Sequence, residues 1–221
     1  PIRKIHFFSD RLRGRLGNKL EEEDQRYFER MEKSTSRMAS LIDDLLLYSH
    51  IGRGIMSNET VDLNHTLASV LDDLELYIEE KGARVEVDPL PTIQGHHRQL
   101  QQLFENLIGN ALKYSKEGVL PQVRISAKLV KGQDTPLQLN AGEGRKQYHL
   151  IAVSDNGIGF NPEDAERIFN VFTRLHGNTE YRGTGVGLSM DRKVVENQNV
   201  YIWAEGEPGE GATFKLLLPA E

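Results

Sequence analysis

Apolar and small residues recur at alternating steps of three and four along the first 50 residues of the chain. One such stripe consists of Phe28, Met31, Thr35, Met38, Ile42, Leu45 and Ser49. This heptad spacing predicts a long amphipathic helix. A second stripe precedes it, ahead of Gly17-Asn18, and consists of Ile2, Ile5, Phe8, Leu12 and Leu16. Residues 1 to about 50 are therefore predicted to form an antiparallel helical hairpin.

The predicted apolar face of the second helix is wider than the seam of a two-stranded coiled coil, because Leu41, Leu46 and Leu47 extend it. A face this wide suits a helix inside a bundle. Two helices alone would leave much of it in water, and large exposed apolar faces usually mark contacts between chains. We therefore expect a homodimer in which two hairpins pack as a four-helix bundle.

The periodic pattern changes after His50, where Gly52 and Gly54 interrupt the helix. We place a domain boundary here, with a helical domain at residues 1–52 and a second domain at residues 53–221. Helical periodicity in the second domain occurs at residues 63–80, 100–114 and 186–197. Strand-like alternation occurs at residues 123–129, 148–153, 201–204 and 213–218. This order predicts an α+β fold with helices covering a mixed sheet. Residues 131–146 are predicted to form a polar hairpin loop, which would be a tolerated surface insertion.

The composition excludes several classes of protein. The 221 residues carry a formal net charge of −6, whereas a nucleic-acid groove needs a basic surface, so no nucleic-acid partner is expected. No apolar run approaches the ~20 residues of a membrane helix, so no membrane contact by this region is expected. The absence of cysteine excludes disulfides and thiolate metal sites. The chain starts at Pro1 without Met, which suggests a piece of a longer protein, and we expect this piece to be cytoplasmic.

The segment QLQQLFENLIGNALKYS contains the first candidate functional residues. At ~100° per residue, Asn106, Asn110 and Lys113 share a stripe beside the apolar face of a helix. Asparagine is a poor residue in mid-helix, so two on one stripe need a reason. A phosphate site would supply it, with Asn110 offering a carbonyl oxygen to Mg²⁺, Lys113 a charge to phosphates, and Tyr114 a ring to a base or sugar. From this helix alone, amides that cap a loop or face solvent remain the alternative.

Two glycine clusters follow. In VSDNGIGF a strand leads into Asp155, Gly157 and Gly159, and in RGTGVGL three alternating glycines lead directly into the helix that begins near Val186. Glycine lets the backbone approach phosphates, and a helix N-terminus offers free N–H groups to an anion. Neither spacing is G-x-G-x-x-G and no Gly-Lys-Ser/Thr run exists, which excludes a Rossmann motif and a P-loop.

The Asn helix, DNGIGF, the aromatic IFNVFTRL and GTGVGL occur in the order and rough spacing of the N, first-glycine, F and second-glycine boxes of histidine kinases. The chain resembles that family from PIRKI at its start to YIWAEGEPGEGATFKLLLP at its end. The segment FTRLHGNTEYRGTGVGL is most similar to phytochrome-like and PAS-linked kinases. The resemblance implies a dimerisation hairpin followed by an α/β sandwich ATP-binding domain of the GHKL type, with ATP and Mg²⁺ as cofactors and a response-regulator receiver domain as partner.

The resemblance also implies roles for matching residues around the adenine base of ATP. Asp155 would accept a hydrogen bond from the adenine amine, Gly157 and Gly159 would shape that pocket, and Thr213 would lie near the adenine. Tyr114 would lie against the nucleotide. Phe169 and Phe172, in the F box, are expected to be apolar packing beneath a lid.

Other residues are implied at the phosphates. Asn110 would hold Mg²⁺, and Asn106 and Lys113 would position the phosphates. Residues 173–182 would form a mobile ATP lid in which Arg174 contacts phosphate. The segment after the lid would complete the ATP site as its hinge and backbone, and consists of Gly183, Thr184, Gly185, Val186, Gly187 and Leu188.

The chain differs from the family pattern in two places. Ser189, Met190, Asp191 and Asn199 stand where two small or apolar residues and a glycine are usual, so we expect altered packing there without loss of binding. The family's phosphorylated histidine precedes the P-[LI]-R-x-I element by five positions, and here that element is Pro1–Ile5. The acceptor is therefore expected outside the printed sequence, His6 is expected to be structural, and this chain is expected to bind ATP without phosphorylating itself.

Three alternatives remain open on the sequence. Hydrolytic GHKL ATPases carry a Glu base four residues before the metal-binding Asn; that position is Asn106 here, and the neighbouring Glu105 points ~100° away around the helix. A serine-directed anti-sigma kinase would not need the helical hairpin. A catalytically silent dimeric scaffold could retain the ATP pocket for regulation.

Overall fold

The computed structural model describes residues 2–17, 20–50, 59–175, 184–196 and 200–220. Its first part is a hairpin of two helices, α1 (Ile2–Leu16) and α2 (Glu22–His50). A salt bridge between Arg13 and Glu32, with an N–O distance of 3.0 Å, joins them. The predicted helical hairpin is confirmed. Asn18, the side chains of Leu47 and Ser49, and the predicted domain boundary at residues 52–53 lie outside what the structure describes.

The second part of the chain is built on a five-stranded sheet with the strand order β2-β4-β5-β7-β6. These strands are β2 (Arg84–Val87), β4 (Gln122–Lys131), β5 (Gln147–Asp155), β6 (Tyr201–Glu207) and β7 (Gly211–Pro219). β2 runs parallel to β4, and the other neighbours are antiparallel, so the sheet is mixed, as predicted. A separate two-stranded antiparallel sheet pairs β1 (Glu59–Asp62) with β3 (Thr92–Gly95).

Helices cover one face of the five-stranded sheet, which we call its inner face. They are α3 (Leu63–Asp73), α4 (Glu75–Lys81), α5 (His97–Lys113) and α7 (Gly187–Glu196). The apolar side of α5 is fully buried, and Leu107 and Ile108 share one core with Ile125, Ile151 and Leu216 of the sheet. The predicted layering of helices on a sheet is confirmed. Among the described helices, none combines the length and the apolar composition required to cross a bilayer.

Two expectations about the second domain need correction. The helix predicted over residues 63–80 is interrupted at Leu74, whose backbone (φ −97°, ψ 1°) leaves the helical region and separates α3 from α4. Strands β1, β2 and β3 were not predicted. Each has only four residues, which is too short for alternation to distinguish a strand from a loop.

Residues 131–146 do join antiparallel strands, but the prediction of a polar surface loop was wrong in one respect. The segment contains a 3-10 turn (Gly132–Asp134) and a short helix, α6 (Ala141–Gly144), whose capping box is formed by Asn140 and Glu143. Leu137 and Leu139 pack with Tyr148 and Trp203 in a second apolar cluster on the outer face of the sheet. The insertion therefore covers apolar surface that the strands would otherwise expose.

Substitution of Leu139 with alanine is expected to lower the free energy of unfolding by about 1–2 kcal/mol, because a half-buried leucine loses its contacts. Trp203 is the single tryptophan of the chain, so its fluorescence reports the cluster directly. Urea unfolding followed by that fluorescence measures the free energy of unfolding of each variant. Leu76→Ala is the matched control, because Leu76 is 80% exposed. Equal stabilities of the two variants would contradict the role of the insertion.

Candidate functional site

Asp155 ends β5 at one edge of a cavity beneath the sheet. Its Oδ1 accepts hydrogen bonds from the backbone N–H groups of Gly157 at 2.8 Å and Ala212 at 3.3 Å. Burial raises the pKa of Asp155 to about 6, although these N–H groups and the charge of Lys116 act in the opposite direction. With Oδ1 occupied twice, Oδ2 is the oxygen left for the cavity, which Asp155 lines. The site therefore presents a fixed acceptor.

The glycine loop after Asp155 is clamped from two sides. The Ile158 N–H donates to the carbonyl oxygen of Tyr114, the residue after α5, at 2.9 Å, and the Gly209 N–H donates to the Ile158 carbonyl at 2.8 Å. A Cβ at Gly157 would overlap the Tyr114 carbonyl oxygen. Gly159 has a φ of +64°, and a Cβ there would overlap the Glu207 carbonyl oxygen. Only glycine therefore fits at residues 157 and 159.

The cavity next to Asp155 has a volume of about 90 Å³ and is lined mainly by apolar side chains. Ile158, Ile168, Leu188 and Phe214 supply most of this lining, and Asn110 and Tyr114 lie at its border. An apolar slot with a single carboxylate acceptor at its edge suits a flat ring that carries an amine.

A second, more polar cavity of about 220 Å³ adjoins the first. Asn110, Tyr114, Ile168, Thr173 and Leu188 belong to both cavities, so the end of α5 and the start of α7 lie where the cavities adjoin. The polar cavity is lined by Asn106, Asn110, Lys113, Tyr114, Thr173, Thr184, Gly185 and Gly187 among others. Amides, an ammonium group, hydroxyls and glycine backbone are the groups that bind phosphates.

Two side chains of α5 are held in place within the polar cavity. Lys113 Nζ donates to the Tyr114 hydroxyl at 3.0 Å and lies 4.4 Å from the centroid of the Tyr114 ring. Asn106 Nδ2 donates to Asp191 Oδ1 of α7 at 2.9 Å. Glu105 lies on another side of α5, where it accepts a hydrogen bond from Gln102 at 3.1 Å, and burial and the charge of Asp73 raise its pKa. Its carboxylate is therefore turned away from both cavities.

Most residues predicted for the site line these two cavities, but Gly157, Val186 and Thr213 line neither of them. Thr213 donates its hydroxyl to Ser154 Oγ at 3.0 Å on the outer face of the sheet, and its neighbours Ala212 and Phe214 line the cavity instead. Val186 is fully buried in the core. Arg174 lines the apolar cavity and not the polar one. Gly183, with lid residues 176–182, lies outside the described residues, as does Asn199.

The two phenylalanines of the F box behave differently. Phe169 is buried and packs edge to face on Phe214, with ring centroids 6.4 Å apart, as expected of apolar packing. Phe172 is 58% exposed and has a positive φ of 64°, so the expectation that it packs was wrong. Its N–H donates to the Gly185 carbonyl at 2.9 Å, and this backbone bond fixes the turn without burying the ring.

Several cavity residues escaped the sequence interpretation. Ile158, Ile168, Ala212 and Phe214 line the apolar cavity. Ile158 lies inside the DNGIGF motif, so the motif itself pointed to it. Ala212 and Phe214 depend on the register of β7 against β5, which the sequence does not reveal.

Comparisons with known proteins agree with this architecture. A family profile described as "Histidine kinase-, DNA gyrase B-, and HSP90-like ATPase" matches residues 95–221. A second profile, "His Kinase A (phospho-acceptor) domain", matches residues 1–54. The chain therefore belongs to the histidine kinase-, DNA gyrase B- and HSP90-like ATPase family. Within that family, the phospho-acceptor hairpin ahead of the ATPase domain assigns it to the sensor histidine kinases.

Individual relatives support the same assignment. Cyanobacterial phytochrome A of Nostoc sp. is 34% identical over 99% of this chain and 26% of its own length. Phytochrome-like protein Cph1 of Synechocystis sp. is 32% identical over 99% of this chain and 27% of its own length. The chain thus spans about a quarter of these relatives. Full-length ShkA, solved in complex with AMPPNP, has the same fold, with a TM-score of 0.65, 24% identity, and coverage of 99% of this chain and 46% of ShkA.

Proposed function

We propose that this chain binds ATP with Mg²⁺ and positions the γ-phosphate for transfer to a histidine, which then passes it to an aspartate of a response regulator. The observation that carries the proposal is the junction of the two cavities at Asn110 and Tyr114, with the Asp155 carboxylate at one end and Asn106 and Lys113 at the other. This arrangement matches a molecule that is apolar and amine-bearing at one end and anionic at the other.

At the base end, Asp155 Oδ2 would accept a hydrogen bond from the exocyclic amine of adenine. Ile158, Ile168 and Leu188 would contact the faces of the ring, and Tyr114 would lie against the nucleotide. Guanine carries an oxygen at the equivalent position, so it would place an acceptor against an acceptor. The preference for adenine would follow from that repulsion and from the cost of leaving the buried carboxylate unpaired.

At the phosphate end, Lys113 would supply a positive charge, and Thr184, Gly185 and Gly187 would supply backbone and hydroxyl groups beside the start of α7. Asn110 would hold Mg²⁺ through its amide oxygen. Among the described residues no trio of His, Asp and Glu side chains could hold a metal, which suits an ion bound mainly by phosphate oxygens and water. When bound, Mg²⁺ would neutralise part of the phosphate charge.

The chain's own contribution to phosphoryl transfer would be position and charge. Asn106 and Lys113 would fix the phosphates so that an imidazole nitrogen on the hairpin can approach in line. The imidazole is a nucleophile near neutral pH when it is unprotonated. The family spacing would put the acceptor five positions ahead of Pro1, and His6, which is exposed and joined to Asp10 at 3.0 Å, would be structural. A cytoplasmic location is proposed because ATP is the proposed substrate.

Isothermal calorimetry with this chain tests the proposal. One ATP·Mg²⁺ per chain is expected to bind, with much weaker binding of GTP·Mg²⁺ and of ATP·Mg²⁺ to Asn110→Ala. Absence of nucleotide binding would favour a silent scaffold, and sustained phosphate release would favour a hydrolytic ATPase. No self-labelling by γ-labelled ATP is expected, and labelling of one of the seven histidines would place the acceptor inside this chain.

The affinity for ATP is expected to rise with pH between about 5 and 7. Burial raises the pKa of Asp155 to about 6, and the ionised carboxylate is the better acceptor for the adenine amine. Binding must therefore displace a proton below pH 6, which weakens affinity by up to about tenfold per pH unit. In the unliganded protein the same raised pKa means that stability falls as pH rises from about 4 to 6, because the unfolded chain ionises first.

Calorimetry at constant free Mg²⁺ measures this profile, and Asp155→Asn is its reference, because the phosphates of ATP also titrate in this range. The variant is expected to lose the part of the profile centred near pH 6. Identical relative profiles for the two proteins would rule out Asp155 as the titrating acceptor.

A further inference from the structure

Asp191 is an acidic residue at a place in α7 that is otherwise apolar. It is 1% exposed, and Met190, Val194 and Val195 of the same helix are buried around it. A carboxyl group in such surroundings is costly unless it is neutral or hydrogen-bonded. Burial raises the pKa of Asp191 well above its ordinary value, although the hydrogen bond from Asn106 acts in the opposite direction. Packing of α7 does not require an acid here, since an aliphatic side chain would fill the same space.

The described part of the chain gives the Asp191 side chain one hydrogen bond, to Asn106 of α5. Its Oδ1 accepts from Asn106 Nδ2 at 2.9 Å, and within the described parts of the chain its buried Oδ2 has no partner. Asn106 belongs to α5 and lines the polar cavity with Asn110 and Lys113. Asp191 itself is not part of that lining, so it acts on the cavity only through Asn106.

Gly187, at the start of α7, lies near the same amide. A Cβ at Gly187 would lie 3.6–3.8 Å from the side-chain amide atoms of Asn106, which is ordinary van der Waals contact. Asn106 thus lies near the first turn of α7 and is hydrogen-bonded to the carboxyl one turn later. A free asparagine side chain rotates about its terminal torsion, whereas the hydrogen bond from Nδ2 to Asp191 favours one orientation of this amide.

We infer that Asp191 is a positioning residue for the phosphates: it holds the Asn106 amide in one orientation toward the polar cavity and ties the glycine-rich start of α7 to α5. The inference rests on the proposed function, because it takes the polar cavity as the phosphate site. It assigns a role to a residue that the sequence marked only as a change in packing.

Calorimetry on the same chain tests the inference with ATP·Mg²⁺ and with AMP, which lacks the outer phosphates. Asp191→Leu removes the acceptor at similar volume and is expected to weaken ATP·Mg²⁺ binding about fivefold while changing AMP binding less than twofold. Asp191→Asn keeps a carbonyl acceptor and is expected to restore most of the affinity. Ser189→Ala is the matched control, because its buried hydroxyl bonds only to the Val186 carbonyl next to its own helix, at 2.7 Å.

A double-substitution cycle separates positioning from general packing. If Asp191 acts through Asn106, Asp191→Leu adds no further loss to Asn106→Ala. Equal losses for ATP and AMP, or a full additional loss in the Asn106→Ala background, would overturn the inference. Asp191→Val replaces Asp191→Leu in this cycle if thermal unfolding shows that the Asp191→Leu variant does not fold. Failure of the unaltered chain to bind ATP would instead overturn the proposed function, and the inference with it.

Discussion

Replacement of Asp155 with asparagine is expected to weaken ATP binding about 100-fold and to shift the preference of the site toward a 6-oxopurine such as inosine or guanosine triphosphate. The two backbone N–H groups of Gly157 and Ala212 require an acceptor, so the asparagine Oδ1 takes the place of the present Oδ1. Its amide nitrogen is then turned into the cavity. A donor there faces the amine of adenine but complements the oxygen of hypoxanthine or guanine.

The magnitude follows from the contacts that are exchanged. One charge-assisted hydrogen bond is lost and two donors are left facing each other in a buried site, which costs about 3 kcal/mol, or roughly 100-fold in affinity. Competition calorimetry with ATP, GTP and ITP at pH 7.5 measures the shift. Asp88→Asn is the control, since Asp88 pairs with Arg124 at 3.3 Å at the sheet edge. An Asp155→Asn variant that retains the affinity and preference of the unaltered chain would show that the base binds elsewhere.

The parts of the site predicted from sequence are those that a single local motif encodes. Helix α5 carries its apolar face and its polar stripe in one continuous segment, so Asn106, Asn110 and Lys113 could be assigned together. Asp155 and its glycines are also contiguous, and the glycines are explained by backbone crowding that only glycine tolerates. Such features can be recognised in the sequence because their geometry is set within a few residues.

The parts that were missed depend on tertiary register. Whether Thr213 or Phe214 faces the cavity is decided by the pairing of β7 with β5, and a shift of one residue would exchange them. Leu137 and Leu139 stand alone in a polar segment, and their role becomes visible only once Tyr148 and Trp203 are seen on the outer face of the sheet. The partner of Asp191 lies 85 residues away along the chain. No periodicity in the sequence connects them.

The apolar stripe of the helical hairpin is not covered within one chain. Ile5, Phe8, Leu12, Met31, Met38, Ile42 and Leu45 are each 44–56% exposed. Few soluble monomers leave a continuous apolar stripe of this length in water. The proposed homodimer would bury it between two hairpins, in agreement with the phospho-acceptor profile over residues 1–54.

Phe8→Glu combined with Met38→Glu is therefore expected to convert the dimer to a monomer. Each dimer would bury four carboxylates in place of apolar side chains. The lost burial of those four side chains alone weakens dimerisation by about 6 kcal/mol. This loss raises the dimer dissociation constant by at least about 10⁴-fold. Light scattering should then report the mass of a single chain, 25.0 kDa. Arg37→Glu places a carboxylate beside Met38 but off the stripe, and this variant should remain dimeric. The proposed ATP site lies outside the hairpin, so the monomer should still bind ATP·Mg²⁺. A monomeric mass for the unaltered chain at high concentration would remove the proposed bundle.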